Sequence, residues 1–143
     1  NYTYTEAELQ GDVIFSPTKI ARDGDTLPLV PKNRLGFAGK FYPIEGLTLS
    51  INGLYVSEQV LLFDESNSFP RLSDYFVLSG RLAYERHVPG GRLGAFLSII
   101  NILNSEYSTF GSVNDFTGEI SVMPAPTISA YGGINYRFEA FPR

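Results

Sequence analysis

The chain has 143 residues, a length that suits one domain or one piece of a larger one, and a formal net charge of −4. Hydrophobic residues make up 43% of it and charged residues only 18%, against a usual charged share of about 25%. The absence of cysteine excludes disulfides and thiolate chemistry, and the acidic balance without a basic patch argues against a nucleic-acid partner.

Tyr and Phe number nine and eleven. With so little charge, these aromatics fit a surface that faces something other than water. No run approaches the roughly 20 apolar residues of a spanning helix. The chain opens on NYTYTEAEL, which has no basic start and no apolar signal core. It opens as though inside a strand, so a processed chain or a fragment of a longer one is expected.

Spacing of three and four is nowhere sustained, and alternation with a period of two describes the chain better. Six long strands are predicted, from about Tyr2 to Ile14, Asn33 to Tyr42, Leu47 to Phe63, Leu72 to His87, Arg92 to Tyr107 and Thr127 to Phe138. In the second strand, Leu35, Phe37, Gly39 and Phe41 alternate with Arg34, Gly36, Ala38 and Lys40. In the third, Leu47, Leu49, Ile51, Gly53 and Tyr55 alternate with Thr48, Ser50 and Asn52. In the fourth, Phe76, Leu78, Gly80, Leu82 and Tyr84 alternate with Val77, Ser79, Arg81 and Glu85. In the sixth, Ile128, Ala130, Gly132, Ile134, Tyr136 and Phe138 alternate with Thr127, Ser129, Asn135 and Arg137. One face is apolar and the other polar with charge.

The connections alternate too. PIEG (Pro43 to Gly46) and VPGG (Val88 to Gly91) are short, whereas Phe15 to Pro31, Asp64 to Arg71 and Ser108 to Pro126 are longer. Strands joined in this way form an antiparallel up-and-down meander with tight turns on one side and long loops on the other, as in outer-membrane barrels. Phe41, Tyr84 and Tyr136 lie at the short-turn ends of their strands, and Tyr55, Phe76 and Tyr107 towards the long-loop ends. Two such bands are what the aromatic girdles of a transmembrane barrel require. A soluble β-sandwich or lipocalin-like binding module has the same alternation, with the apolar face as its core.

Chemistry is sparse. His87 is the one histidine and stands beside the PGG turn, so neither a zinc site nor a Ser–His–Asp triad is expected. The DGD at Asp23 to Asp25 lacks the spacing of a calcium loop and reads as a tight turn. No catalytic residue, metal site or cofactor is expected, and an enzyme is not. Arg34, Lys40, Asn52, Arg81, Glu85, Asn135 and Arg137 fall on the polar face. There they either line a path through a lumen or form a structural wall network.

The pieces taken together resemble a known family. NYTYTEAEL, LPLVPKNRLGFAGKFYP, LTLSINGLYVSEQ, LSDYFVLSGRLAYE, LSIINILNSEY and GGINYRF are similar, in that order, to successive elements of the C-terminal barrel of the TonB-dependent receptors of Gram-negative outer membranes. The resemblance implies a 22-stranded barrel, of which this chain would supply the last six strands, without the N-terminal plug. It also implies energised import of a scarce ligand, such as an iron–siderophore complex, a cobalamin or a glycan. Implied partners are outer-membrane lipid, the remainder of the barrel and plug, a TonB-type energy coupler acting through the N-terminal part, and the barrel-assembly machinery. That machinery would read the closing strand, with Gly133, Tyr136 and Phe138 as its signal residues. FDESNSFPR and FGSVNDFTGEISVMPAP are the candidate ligand-touching loops. A non-energised porin or adhesin barrel remains the alternative within the membrane class.

The chain departs from the pattern in three places. Lys32 and Asn33 stand where the family has a His-containing element, Leu103 stands for the phenylalanine of N-L-F-N, and EAFPR continues past Phe138. Six strands are fewer than the eight of the smallest membrane barrels, and an open sheet edge in lipid leaves costly unpaired backbone groups. The segment is therefore expected to work only as part of something larger. Within LSIINILNSEY, strand parity places Leu97, Ile99, Asn101 and Leu103 outward and Phe96, Ser98, Ile100 and Asn104 inward.

Overall fold

A computed structural model describes residues 1–16, 19–114 and 116–138. The EAFPR tail lies outside the described residues, as do Pro17 and Thr18 of the first long connection and Asp115 of the third. The described residues form ten strands: β1 (Tyr2–Tyr4), β2 (Val13–Ser16), β3 (Lys19–Ala21), β4 (Asn33–Phe41), β5 (Leu47–Val56), β6 (Tyr75–Val88), β7 (Gly91–Ile100), β8 (Ser108–Val113), β9 (Ile120–Pro124) and β10 (Ser129–Phe138). Six of them make one open sheet in the order β1-β4-β5-β6-β7-β10, antiparallel like the meander expected, with β1 and β10 at its edges. The hairpins β2-β3 and β8-β9 lie in the chain between β1 and β4 and between β7 and β10.

The strand turns behave as their residues dictate. Gly46 and Gly90 carry positive φ of 81° and 88° in the two short connections, a backbone that side chains with a Cβ rarely adopt. Between β6 and β7 the register runs without interruption from Gly80↔Ile99 to Val88↔Gly91, and from β7 to β10 it runs from Ser129↔Ile100 to Phe138↔Gly91.

Three strand expectations need correction. The first strand ends at Tyr4 and not near Ile14. Residues beyond it still pair irregularly, with Thr5 N–H donating to Lys32 O (2.9 Å) and Leu9 N–H to Asp25 O (2.8 Å), while Val13 and Ile14 belong to the β2-β3 hairpin. The third strand ends at Val56 and not at Phe63. Gln59 and Leu72 then exchange both backbone hydrogen bonds, and Phe63 sits at φ 71°. The fifth strand ends at Ile100 and not at Tyr107, because Asn101 takes the left-handed conformation, φ 55°.

The chain divides into two compact units. One comprises residues 1–36, 54–76 and 106–126, and so holds the three long connections. It contains all the buried core hydrophobics found among the described residues: Ala21, Val56, Val60, Leu61, Leu72 and Val113. The other comprises residues 37–53, 77–105 and 127–143, and its described residues form a sheet with no such core. Its large apolar side chains, among them Leu82, Leu93, Leu97, Ile134 and Phe138, are exposed, Ile134 and Phe138 at 80% and 83%.

Candidate functional site

The polar face of the sheet unit is organised around Arg81. In register Arg81 stands opposite Ser98, Ala83 opposite Phe96 and Glu85 opposite Gly94, with Tyr131, Gly133 and Asn135 continuing those rows on β10. The Arg81 guanidinium donates to Ser98 Oγ at 3.0 Å and lies 3.8 Å from the Phe96 ring centroid. A cation stacked in this way is stabilised by about 0.5–2 kcal/mol, depending on how far it is desolvated. Phe96 meets Tyr131 edge-on at 6.1 Å and its ring roofs Gly133, where an added Cβ would stand 2.9 Å from it. Glu85 accepts from Arg92 at 3.4 Å, and the Asn135 side chain covers Gly94. Thr48, Arg81, Glu85, Gly94, Phe96 and Asn135 line a shallow recess of about 230 Å³.

Of the polar-face residues singled out from sequence, Arg81, Glu85 and Asn135 therefore meet around one recess. Arg137 stands opposite Arg92 at the short-turn end. Lys40 and Asn52 are exposed on β4 and β5, and Arg34 belongs to the loop-bearing unit, within electrostatic range of Tyr75. Of the residues that tie the cluster together, strand parity already places Phe96 and Ser98 inward, whereas Tyr131 was not singled out. Its signal is its parity with Arg81, which becomes visible only once the register is known.

On the closing strand Tyr136 and Phe138 pack edge to face at 4.6 Å, and the Tyr136 hydroxyl donates to Pro89 O at 3.4 Å. Phe41, Tyr84 and Tyr136 are exposed on their strands, while Tyr55 and Phe76 are half-buried. Tyr107 is placed differently from the girdle expectation. It lies beyond the end of β7, directly before β8, and stacks on Tyr75 with ring centroids 4.6 Å apart.

The loop-bearing unit is built, not slack. Leu61, Leu72 and Val113 form its core with Phe69 packed alongside. Leu62 pairs through its backbone with Gly111 and Val113, and Leu29 N–H donates to Val60 O, so all three long connections are fastened to one another. Asp64, 2% exposed, accepts from the backbone N–H groups of Ser68 (2.8 Å) and Phe69 (3.1 Å). It is a loop former, not a free ligand group. Asp23 and Asp25 behave likewise: they accept from the backbone N–H groups of Gly11 and Arg22, and Gly24 turns between them at φ 88°. Among the described residues no cluster of three or more His, Cys, Asp or Glu residues is placed to hold a metal.

The end of β7 has its own clasp. Asn101 is wholly buried, its Nδ2 donating to Ser105 O (2.8 Å) and its Oδ1 accepting from Ser105 N–H (3.0 Å). Its backbone N–H donates to Ser79 Oγ at 3.4 Å. Asn104 accepts from Ile128 N–H at 3.1 Å, just before β10 begins. The outward position that parity assigned to Asn101 is thus overturned, because the positive φ breaks the alternation at that residue.

No protein-family model matches the chain, and no curated protein does. Solved structures do match. The unliganded ferric citrate transporter FecA aligns over 83% of this chain and 19% of its own, with 19% identity and a TM-score of 0.63. The ferric-catecholate import receptor Fiu from E. coli K12 aligns over 93% and 17%, with 18% identity and a TM-score of 0.65. BauA, the ferric preacinetobactin receptor from Acinetobacter baumannii, aligns over 80% and 16%, with 26% identity and a TM-score of 0.56. The chain has the fold of a TonB-dependent receptor barrel segment.

The segment spans less than a fifth of the length of these structures. The N-I-L-N stretch, Asn101 to Asn104, supplies the β7 clasp. Leu103 within it is exposed.

Proposed function

We propose that the chain is a wall segment of a TonB-dependent transporter embedded in the Gram-negative outer membrane. The observation that carries this reading is the apolar face of the sheet unit. Leu82, Leu93, Leu97 and Ile134 point away from any core, and a soluble sandwich would cover them with a second sheet. Burying such surface is favourable by about 25 cal/mol per Å², so a face this apolar calls for a cover, and bilayer hydrocarbon supplies one. The remainder of the barrel and a plug would pair with the sheet edges, as no backbone edge stays open in lipid. Arg34, Lys40, Asn52, Arg81, Glu85, Asn135 and Arg137 would face the lumen, and Gly133, Tyr136 and Phe138 would be read by the assembly machinery.

The transported ligand is a ferric chelate on this reading. The three matching receptors described above are named for ferric ligands, which favours it over a cobalamin or a glycan. Uptake would draw on a TonB-type coupler acting outside this segment. Uptake of radiolabelled iron, presented as ferric citrate and as ferric catecholates to cells with and without the gene, tests the reading. Loss of uptake for one chelate, restored by the gene and abolished by an uncoupler, is the expected result. Unchanged uptake of every chelate would remove the ferric assignment.

A further inference from the structure

The apolar face of β6, β7 and β10 carries one charge. From Leu78 onward, every other residue in the outward register of these strands is apolar, aromatic or glycine, and the exception is Arg86. It stands opposite Leu93, which in turn stands opposite Tyr136, and it follows Tyr84 by two residues on the same face. Arg86 is exposed, and it makes no hydrogen bond or ion pair with any described residue. The arginine neighbours in sequence or register behave otherwise: Arg81 and Arg92 are committed to Ser98 and Glu85 on the opposite face.

We propose that Arg86 binds the phosphate of a phospholipid headgroup in the leaflet that meets the short turns. The inference rests on the membrane reading above and adds a ligand and a residue to it. The depth argument is local. Arg86 lies two residues before the end of β6, and the Tyr136 hydroxyl in the same row reaches Pro89 O in the turn. This row therefore sits one row from the short-turn end of the sheet, with only Val88, Gly91 and Phe138 beyond it on the same face. An arginine on the lipid face is costly at the bilayer midplane and nearly free at the interface. Its planar fork matches two phosphate oxygens at once, and a weakly hydrated guanidinium suits that half-wet position. Flanking tyrosines present apolar rings to the acyl chains and hydroxyls to the headgroup layer.

The test is native mass spectrometry of the full-length receptor in mild detergent with phosphatidylglycerol added, comparing wild type with Arg86→Gln and Arg137→Gln. Arg137 lies close by in register on the opposite face. Arg86→Gln should reduce retained phosphatidylglycerol by about fivefold, the scale of one basic group at an anionic surface, while Arg137→Gln retains it. Equal retention in Arg86→Gln, or equal loss in both variants, overturns the proposal. Heat-modifiable migration on gels checks assembly. If Arg86→Gln does not assemble, Arg86→Lys carries the test. It should keep part of the lipid because it keeps the charge without the fork, and full retention would contradict the bidentate contact. A receptor that stays monodisperse without detergent would instead remove the membrane reading itself.

Discussion

Asn101 holds Ser105 through both ends of its side-chain amide, donating to the carbonyl at 2.8 Å and accepting from the N–H at 3.0 Å. This pair ends β7 and starts the path to the third long connection. Asparagine suits the position twice over, because it tolerates a positive φ and its short amide mimics a turn of backbone.

Replacing Asn101 should therefore cost more than a surface change. Asn101→Ala loses two buried hydrogen bonds and strains φ 55°, an expected loss of about 2–4 kcal/mol. Asn101→Gly loses the bonds but keeps the backbone, so its loss should be visibly smaller. Denaturant unfolding of the receptor in detergent measures both. Equal losses would show that the backbone conformation is not at issue.

The Arg81–Phe96 stack should behave as a coupled pair. In a double-mutant cycle with Arg81→Gln and Phe96→Leu, the coupling energy is expected near 1 kcal/mol. A coupling indistinguishable from zero would reduce the contact to simple proximity.

Asp64 orders the second long connection. Asp64→Ala strands the N–H groups of Ser68 and Phe69, and limited proteolysis should then cut within residues 63–71 several times faster than in wild type. Unchanged protection would mean that the Leu61–Leu72–Val113 core holds the loop without it.

Much of the sheet was legible because it obeys one simple period. The ends of β4 and β10 match expectation within two residues, and the alternation of Leu82 and Tyr84 with Arg81 and Glu85 survives intact in the register. Legibility failed where the backbone left that period. Parity counting put Asn101 outward because nothing local announces a left-handed residue inside an apolar run, although the pair Asn101 and Asn104 was the available hint. The β8-β9 hairpin was also missed. Its cue was Asn114 and Gly118 between two short apolar stretches, and Asn114 Oδ1 does accept from Phe116 and Thr117. The core of Leu61, Leu72 and Val113 joins residues distant in sequence, and no spacing rule finds such a contact.

The apolar face should tolerate charge poorly. Leu97→Arg places a cation in mid-strand on β7, an expected cost of about 2–4 kcal/mol in a bilayer, and folded receptor in the outer-membrane fraction should fall sharply. Ser98→Ala, on the other face, should cost about 1 kcal/mol through its bond to Arg81.

The most direct test of the membrane-wall assignment is a nitroxide scan along β7 in the full-length receptor in bilayers, aided by the absence of cysteine from this chain. Labels at 93, 95, 97 and 99 should be relaxed by oxygen, which concentrates in hydrocarbon. Labels at 94, 96 and 98 should be shielded from it. An inverted pattern, or no alternation at all, would contradict a barrel wall with its apolar face in lipid.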